Sequence, residues 1–97
     1  MTETTQVRIE RNDEASRFEA YVDGVAAGLV AFRATPGRIE LVHTEVKPEF
    51  RGQGIGEQLA EAALASARSA GEAVVPSCPF IARYMREHPE FEQLRAS

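Results

Sequence analysis

The chain has 97 residues, which is room for a single domain spanning 1–97. Hydrophobic residues make up 43% of it and charged residues 27%, a balance typical of folded globular proteins rather than disordered ones. The formal net charge of −4 argues against a nucleic-acid-binding protein, and no apolar run is long enough to cross a membrane.

The cysteine content and the first residues bear on where the protein works. A single cysteine, Cys78, can form neither an internal disulfide nor a cysteine-rich zinc site. The polar start, residues 1–6, has no basic segment followed by an apolar one, as a secretory signal would. We therefore expect a cytoplasmic protein without a bound metal.

The first half of the chain predicts four β-strands: one that starts at Val7 and closes at Asn12-Asp13, and others over 17–22, 25–35 and 38–46. Asp23-Gly24 separates the second from the third, and this dipeptide favours the tight hairpin turns that need positive φ. Pro36-Gly37 marks another turn before the fourth strand. Four strands joined by short turns predict an antiparallel meander.

The apolar pattern of the fourth strand changes phase. Ile39 and Leu41 share one phase, whereas Val42, Thr44 and Val46 carry the opposite one. A β-bulge near Leu41–Val42 would produce this slip, and so would a strand buried on both faces.

The second half predicts a helix, a short strand and another helix. Good helix formers fill Glu57 to Ala70, and Gly71 is a typical helix stop. A short strand follows within Glu72 to Pro76, and Pro79 begins a helix that ends at His88-Pro89. The apolar stripe predicted for the first helix comprises Ile55, Leu59, Ala62 or Ala63, Ser66 and Ala70. The order ββββ-α-β-α indicates an α+β domain with a mostly antiparallel sheet.

Glycines recur at every second position of Arg51-Gly52-Gln53-Gly54-Ile55-Gly56, between a strand and a helix. Glycine lets a ligand approach the backbone, and unpaired N–H groups at a helix start favour anions such as phosphate. The loop has no Gly-Lys-Ser/Thr and does not fit G-x-G-x-x-G, so it matches neither a Walker loop nor a dinucleotide-binding loop. A turn that serves only tight helix packing is the alternative.

Arg51-x-x-Gly54-x-Gly56 resembles the Q/R-x-x-G-x-G/A signature of the GNAT superfamily of N-acetyltransferases. His43-Thr44-Glu45-Val46, the run from Cys78 to Tyr84 and His88-Pro89-Glu90-Phe91 resemble a compact branch of short GNAT-like proteins. The resemblance covers residues 7–94. It implies a GNAT-like fold without the usual pair of helices between the first two strands.

The resemblance also implies acetyl-CoA or CoA as the cofactor. In the family, the pantetheine arm pairs with the strand before the loop, and the loop amides hold the pyrophosphate. Carried over to this sequence, the expected cofactor-binding residues are Thr44, Glu45, Val46, Arg51, Gly52, Gln53, Gly54, Ile55, Gly56 and Cys78.

Four residues are candidates for catalysis, each with a plainer alternative. Tyr84 resembles the family's general acid but could be a core tyrosine. Glu45 or His43 could be the base, or a solvated carboxylate and a hydrogen-bonded strand histidine. Cys78 is a candidate nucleophile because a helix N-terminus favours the thiolate, or a small capping residue beside the acyl chain.

The expected function is acetyl transfer from acetyl-CoA to an unidentified amine, by a monomer or a weak homodimer. Alternatives are a CoA- or acyl-CoA-binding module with little turnover, and a structural interaction domain. Because residues 12–16 leave no room for the usual helix pair, the acceptor side should be open. A second subunit or a protein acceptor could complete it.

Overall fold

A computed structural model describes residues 6–96. The polar start, on which the expectation about a secretory signal rests, lies outside this range except for Gln6. The strands are β1 (Val7–Asn12), β2 (Arg17–Val22), β3 (Val25–Thr35), β4 (Arg38–Val46) and β5 (Ala73–Pro76). The helices are α1 (Ile55–Ala70) and α2 (Pro79–Glu87), with short 3₁₀ helices at Pro48–Phe50 and Pro89–Leu94.

The strands form one sheet in the order β1-β2-β3-β4-β5. The first four are antiparallel neighbours, and β5 lies parallel to β4 after the α1 crossover. The predicted fold class and element order are therefore confirmed. None of the helices in 6–96 combines the length and the apolar character needed to cross a bilayer.

The turn chemistry follows the sequence. Asp23 and Gly24 have φ of 49° and 83°, as a primed hairpin turn requires. Gly71 ends α1 in the left-handed conformation and donates to carbonyls of the last helical turn. Cys78 caps α2 and Pro79 is its first residue.

The core lies between the helices and one face of the sheet. In β2 the alternating residues Phe18, Ala20 and Val22 are buried, and Phe18 packs against Phe32 of β3. The buried face of α1 comprises Ile55, Leu59, Ala60, Ala63, Leu64 and Ala67.

The predicted stripe on α1 was partly wrong, because Ala70 is exposed and Ser66 only half-buried. The buried face turns instead through Ala60, Leu64 and Ala67. Alanines on both sides of this helix give little polarity contrast, so spacing alone could not locate the face.

A β-bulge accounts for the phase slip in β4. Ala31 pairs with His43 and Phe32 with Leu41, which leaves Val42 as the extra residue. Ile39 and Leu41, before the bulge, are buried on the helix side of the sheet. Beyond the bulge the half-buried Thr44 and Val46 lie on this same side. The alternative of a strand buried on both faces does not hold, since His43 and Glu45 are exposed.

Candidate functional site

A gap opens between β4 and β5 just beyond the bulge. The two strands pair only from Arg38 to Leu41, opposite Ala73 to Pro76. The Cys78 N–H then donates to the carbonyl oxygen of Leu41 at 2.9 Å, which ends the contact between the strands. The rest of β4, His43 to Val46, forms one wall of the gap.

The direction of the β4 backbone decides which groups face this gap. The Lys47 N–H donates to the Ala27 carbonyl oxygen at 2.8 Å, so Lys47 turns toward β3. Because successive residues of a strand direct their N–H and C=O groups to opposite sides, Thr44 and Val46 turn toward the gap. The backbone of Glu45, also expected to bind the cofactor, turns toward β3.

Two side chains meet at the inner end of the gap. Thr44 Oγ1 lies 3.4 Å from Cys78 Sγ, within hydrogen-bonding range for sulfur. Cys78 is buried at the start of α2, so its thiol forms part of the wall where the strands diverge.

The glycine loop presents a row of free backbone donors at the outer end of the gap. Gly52 and Gly54 have φ of 79° and 75°, and Gly54 is the N-cap of α1. The first helical hydrogen bond runs from the Gln58 N–H to the Gly54 carbonyl oxygen at 3.1 Å. Within 6–96, the N–H groups of residues 52–57 donate to no acceptor. Such a cluster at a helix N-terminus suits an anion.

An apolar patch lies next to these donors. A Cβ on Gly56 would come within 3.1 Å of the Phe80 ring, so glycine lets α2 pack close to the first turn of α1. Val46, Phe50 and Phe80 line a depression together with Arg51 and the loop glycines. Donors beside apolar surface suit a phosphate joined to an organic chain, and the residues present therefore fit CoA.

The face of the sheet away from α1 carries a groove of about 790 Å³, lined by both polar and apolar residues. His43 and Glu45 lie there, with Nε2 and Oε1 3.6 Å apart. His43 and Glu45 are two residues apart and lie on the same face of the sheet, as expected. No helix of the described chain covers this face, because a short turn joins β1 to β2.

Sequence reasoning missed two residues of this groove, Glu19 and Tyr21. Glu19 accepts hydrogen bonds from Arg17 Nε at 2.7 Å and from the Tyr21 hydroxyl at 3.0 Å. The Arg17 hydrogen bond lowers the pKa of Glu19, and the Glu19 hydrogen bond raises that of Tyr21. Polar residues at every second position of β2 were the signal that could have found them.

Tyr84 lies apart from this groove, on α2. Its ring stacks on His88 at 3.8 Å and contacts Phe91, and its exposed fraction is 7%. His88 Nδ1 lies 2.8 Å from the Tyr84 carbonyl oxygen and must carry a proton to donate to it. Burial raises the pKa of Tyr84. Tyr84 is six positions beyond Cys78, which is roughly 9 Å along the helix axis.

The family model described as GCN5-related N-acetyl-transferase matches residues 17–94. The chain belongs to this family. The match covers β2 through the last 3₁₀ helix and so includes the gap, the glycine loop and α2. Membership places the chain among the N-acetyltransferases.

Two curated relatives are similar to this chain over most of its length. Protein NATD1 of Xenopus tropicalis is 29% identical over 91 residues, which are 92% of this chain and 84% of that protein. NATD1 of Mus musculus is 29% identical over 85 residues, 86% of this chain and 77% of that protein. Both relatives are of similar size to this chain.

Two solved structures share the fold. The solution structure of a GCN5-like putative N-acetyltransferase from Staphylococcus aureus has a TM-score of 0.69 at 22% identity, covering 93% of this chain and 88% of that one. A ribosomal-protein-alanine N-acetyltransferase from Brucella melitensis has a TM-score of 0.53 at 23% identity, covering 84% and 61%.

Proposed function

We propose that this chain transfers the acetyl group of acetyl-CoA to a primary amine that approaches from the open face of the sheet. The observation that carries the proposal is the divergence of β4 from β5 beside a loop whose amides 52–57 are free within the described chain. When bound, acetyl-CoA supplies an acetyl group activated as a thioester.

Different groups of the chain would bind different parts of acetyl-CoA. The amides of Gln53, Gly54, Ile55 and Gly56 would hold the pyrophosphate, with Gly52 shaping the loop and Arg51 beside it. The backbone of Thr44 and Val46 would pair with the pantetheine arm. Cys78 would lie against its acyl end, because the thiol forms the inner wall of the gap.

Proton transfer would involve both faces of the sheet. The attacking amine must lose a proton, and Glu45 or His43 on the open face could accept it directly or through water. Tyr84 is a phenol, which is protonated at neutral pH, and burial raises its pKa further, so its hydroxyl has a proton to give to the leaving CoA thiolate. The gap between β4 and β5 would connect the two faces.

The binding half of the proposal has a matched pair of variants. Gly54 and Gly37 both have φ of 75°, and a Cβ on either would meet nothing within 4 Å. Gly54→Ala and Gly37→Ala therefore carry a similar backbone strain from the positive φ, about 1–2 kcal/mol. Calorimetric titration should show wild type and Gly37→Ala binding acetyl-CoA and CoA but not NAD, with Gly54→Ala at least about ten-fold weaker. Wild-type-like binding by Gly54→Ala would leave the loop as a packing turn.

Turnover separates the enzyme from a CoA-binding module. Release of CoA thiol from acetyl-CoA, followed across a panel of primary amines, should be amine-dependent and should fall in Glu45→Gln, His43→Ala or Tyr84→Phe. Cys78→Ala tests an acetyl-cysteine route. Tight acetyl-CoA binding without amine-dependent release would favour the binding module.

A further inference from the structure

The two edges of the sheet differ in how they are protected. At the β5 edge, Arg95 forms a bridge with Val74, and the Ala96 N–H donates to the Val74 carbonyl oxygen at 2.7 Å. At the β1 edge, no segment of 6–96 lies alongside the strand. An uncovered strand edge is a template for pairing with another chain.

The backbone direction of β1 identifies the groups on this edge. The Asp23 N–H donates to the Gln6 carbonyl oxygen at 2.9 Å, so Gln6 turns toward β2. By alternation, Val7, Ile9 and Arg11 direct their N–H and C=O groups outward. Three donors and three acceptors thus lie in a row along the edge.

The side chains of the same segment are complementary to themselves. In an antiparallel pair of two β1 strands centred on Ile9, each Arg8 would lie opposite Glu10 of the other copy. Both side chains project from the face away from α1, with exposed fractions of 63% and 48%. The Arg8 Nε lies 3.0 Å from Glu10 Oε2 of its own chain, so the two charges already stand together.

A two-fold axis at Ile9 also brings the outward N–H and C=O groups of the two strands opposite each other. Ile9 opposite Ile9 would be a hydrogen-bonded pair, as would Val7 opposite Arg11, and all six outward groups would then find partners. On the helix side, Val7 and Ile9 are half-buried. They line a depression with the apolar Ala62, Ala65 and Phe91 and the polar Gln58, Glu61 and Arg68, and a second Ile9 would add to its apolar part.

We propose that two copies of the chain associate antiparallel through β1, about a two-fold axis at Ile9, into one continuous sheet. We assign the edge to a second copy because two antiparallel β1 strands place Arg8 of each copy opposite Glu10 of the other. One strand pair buries less surface than a stable dimer needs, so the association is weak and reversible. Because the second copy joins the sheet edge to edge beyond β1, it does not cover the groove containing His43 and Glu45, which lies on the face formed by β2, β3 and β4.

Charge reversal and charge exchange test this arrangement. Sedimentation velocity of the full chain, from about 10 μM to about 1 mM, should show reversible dimerisation of wild type. Glu10→Arg places like charges opposite each other twice per dimer and should weaken association roughly ten-fold or more. The double variant Arg8→Glu/Glu10→Arg restores opposite charges and should dimerise like wild type, but not form mixed dimers with it.

Amide exchange locates the interface. Protection of Val7, Ile9 and Arg11 should rise with wild-type concentration and not with that of Glu10→Arg. Three results would overturn the proposal: a wild type monomeric up to about 1 mM, a dimer insensitive to Glu10→Arg, or a double variant that stays monomeric. Thermal unfolding of both variants shows that loss of the dimer does not reflect loss of the fold.

Discussion

Gly28 of β3 lies where a side chain would meet the backbone of β4. A Cβ built on it would lie 2.6 Å from the Glu45 carbonyl oxygen, 3.2 Å from Leu59 Cδ1 and 3.4 Å from Val46 Cα. The first of these atoms belongs to a paired strand and cannot rotate away. We therefore expect Gly28→Ala to force β3 and β4 apart by several tenths of an ångström.

The expected loss of stability follows from this overlap. Overpacking costs about 1–3 kcal/mol, and the reduced freedom of the unfolded alanine variant offsets about 0.4–1 kcal/mol of it. The net destabilisation should be on the order of 1–2 kcal/mol. For a chain of this length, that lowers Tm by roughly 4–16 °C.

The assay is thermal unfolding followed by circular dichroism, with Gly56→Ala as the matched control. The Cβ of that variant would meet only the Phe80 ring at 3.1 Å, and a ring can shift. Alanine also favours a helix over glycine by about 1 kcal/mol. Gly56→Ala should therefore leave Tm nearly unchanged or raise it. An unchanged Tm in Gly28→Ala would refute the argument from the β4 backbone.

Two further predictions concern charge. Glu72 is 11% exposed and holds the Arg11 guanidinium through two bonds of 2.9 and 3.0 Å, so Glu72→Gln should lower the unfolding free energy in urea by about 1–3 kcal/mol. Glu92→Gln, in the exposed pair with Arg95, should change it by less than about 0.5 kcal/mol, and equal effects would contradict this reasoning. Burial raises the pKa of Tyr84 in the folded state, so its contribution is complete below the unfolded pKa of about 10 and lost as pH rises through the folded value. Unfolding in urea from pH 8 to pH 11 should therefore show a smaller alkaline loss for Tyr84→Phe, and parallel curves would count against it.

Most of the fold could be predicted from short-range sequence signals. Asp23-Gly24 and Gly71 need particular backbone conformations, and Pro79 fixes the start of a helix, so each marks an element boundary from neighbouring residues alone. The phase slip at Leu41–Val42 was visible because an extra residue shifts every apolar position after it, but choosing the bulge over a strand buried on both faces needed the register with β3.

Contacts between distant residues were not readable in the same way. Arg11 meets Glu72 across 61 positions, and Thr44 meets Cys78 across 34, and no periodicity joins such pairs. The family resemblance supplied the residues of the gap, but their backbone directions came from the register of β4 with β3. The place of β1 at a sheet edge likewise depends on the strand order.

The junction where β4 and β5 part is fixed by hydrogen bonds of the backbone. By alternation along β5, Ala73, Val75 and Ser77 turn toward β4, and at the end of the strand the Cys78 N–H rather than the Ser77 N–H donates to the Leu41 carbonyl oxygen. The Ser77 N–H donates back to the Val75 carbonyl oxygen at 3.1 Å, which tightens the same turn. The opening is thus set before any ligand arrives. Because the gap is already formed, little of the binding free energy is lost in ordering the protein. Binding of a ligand in the gap should therefore need no slow conformational step.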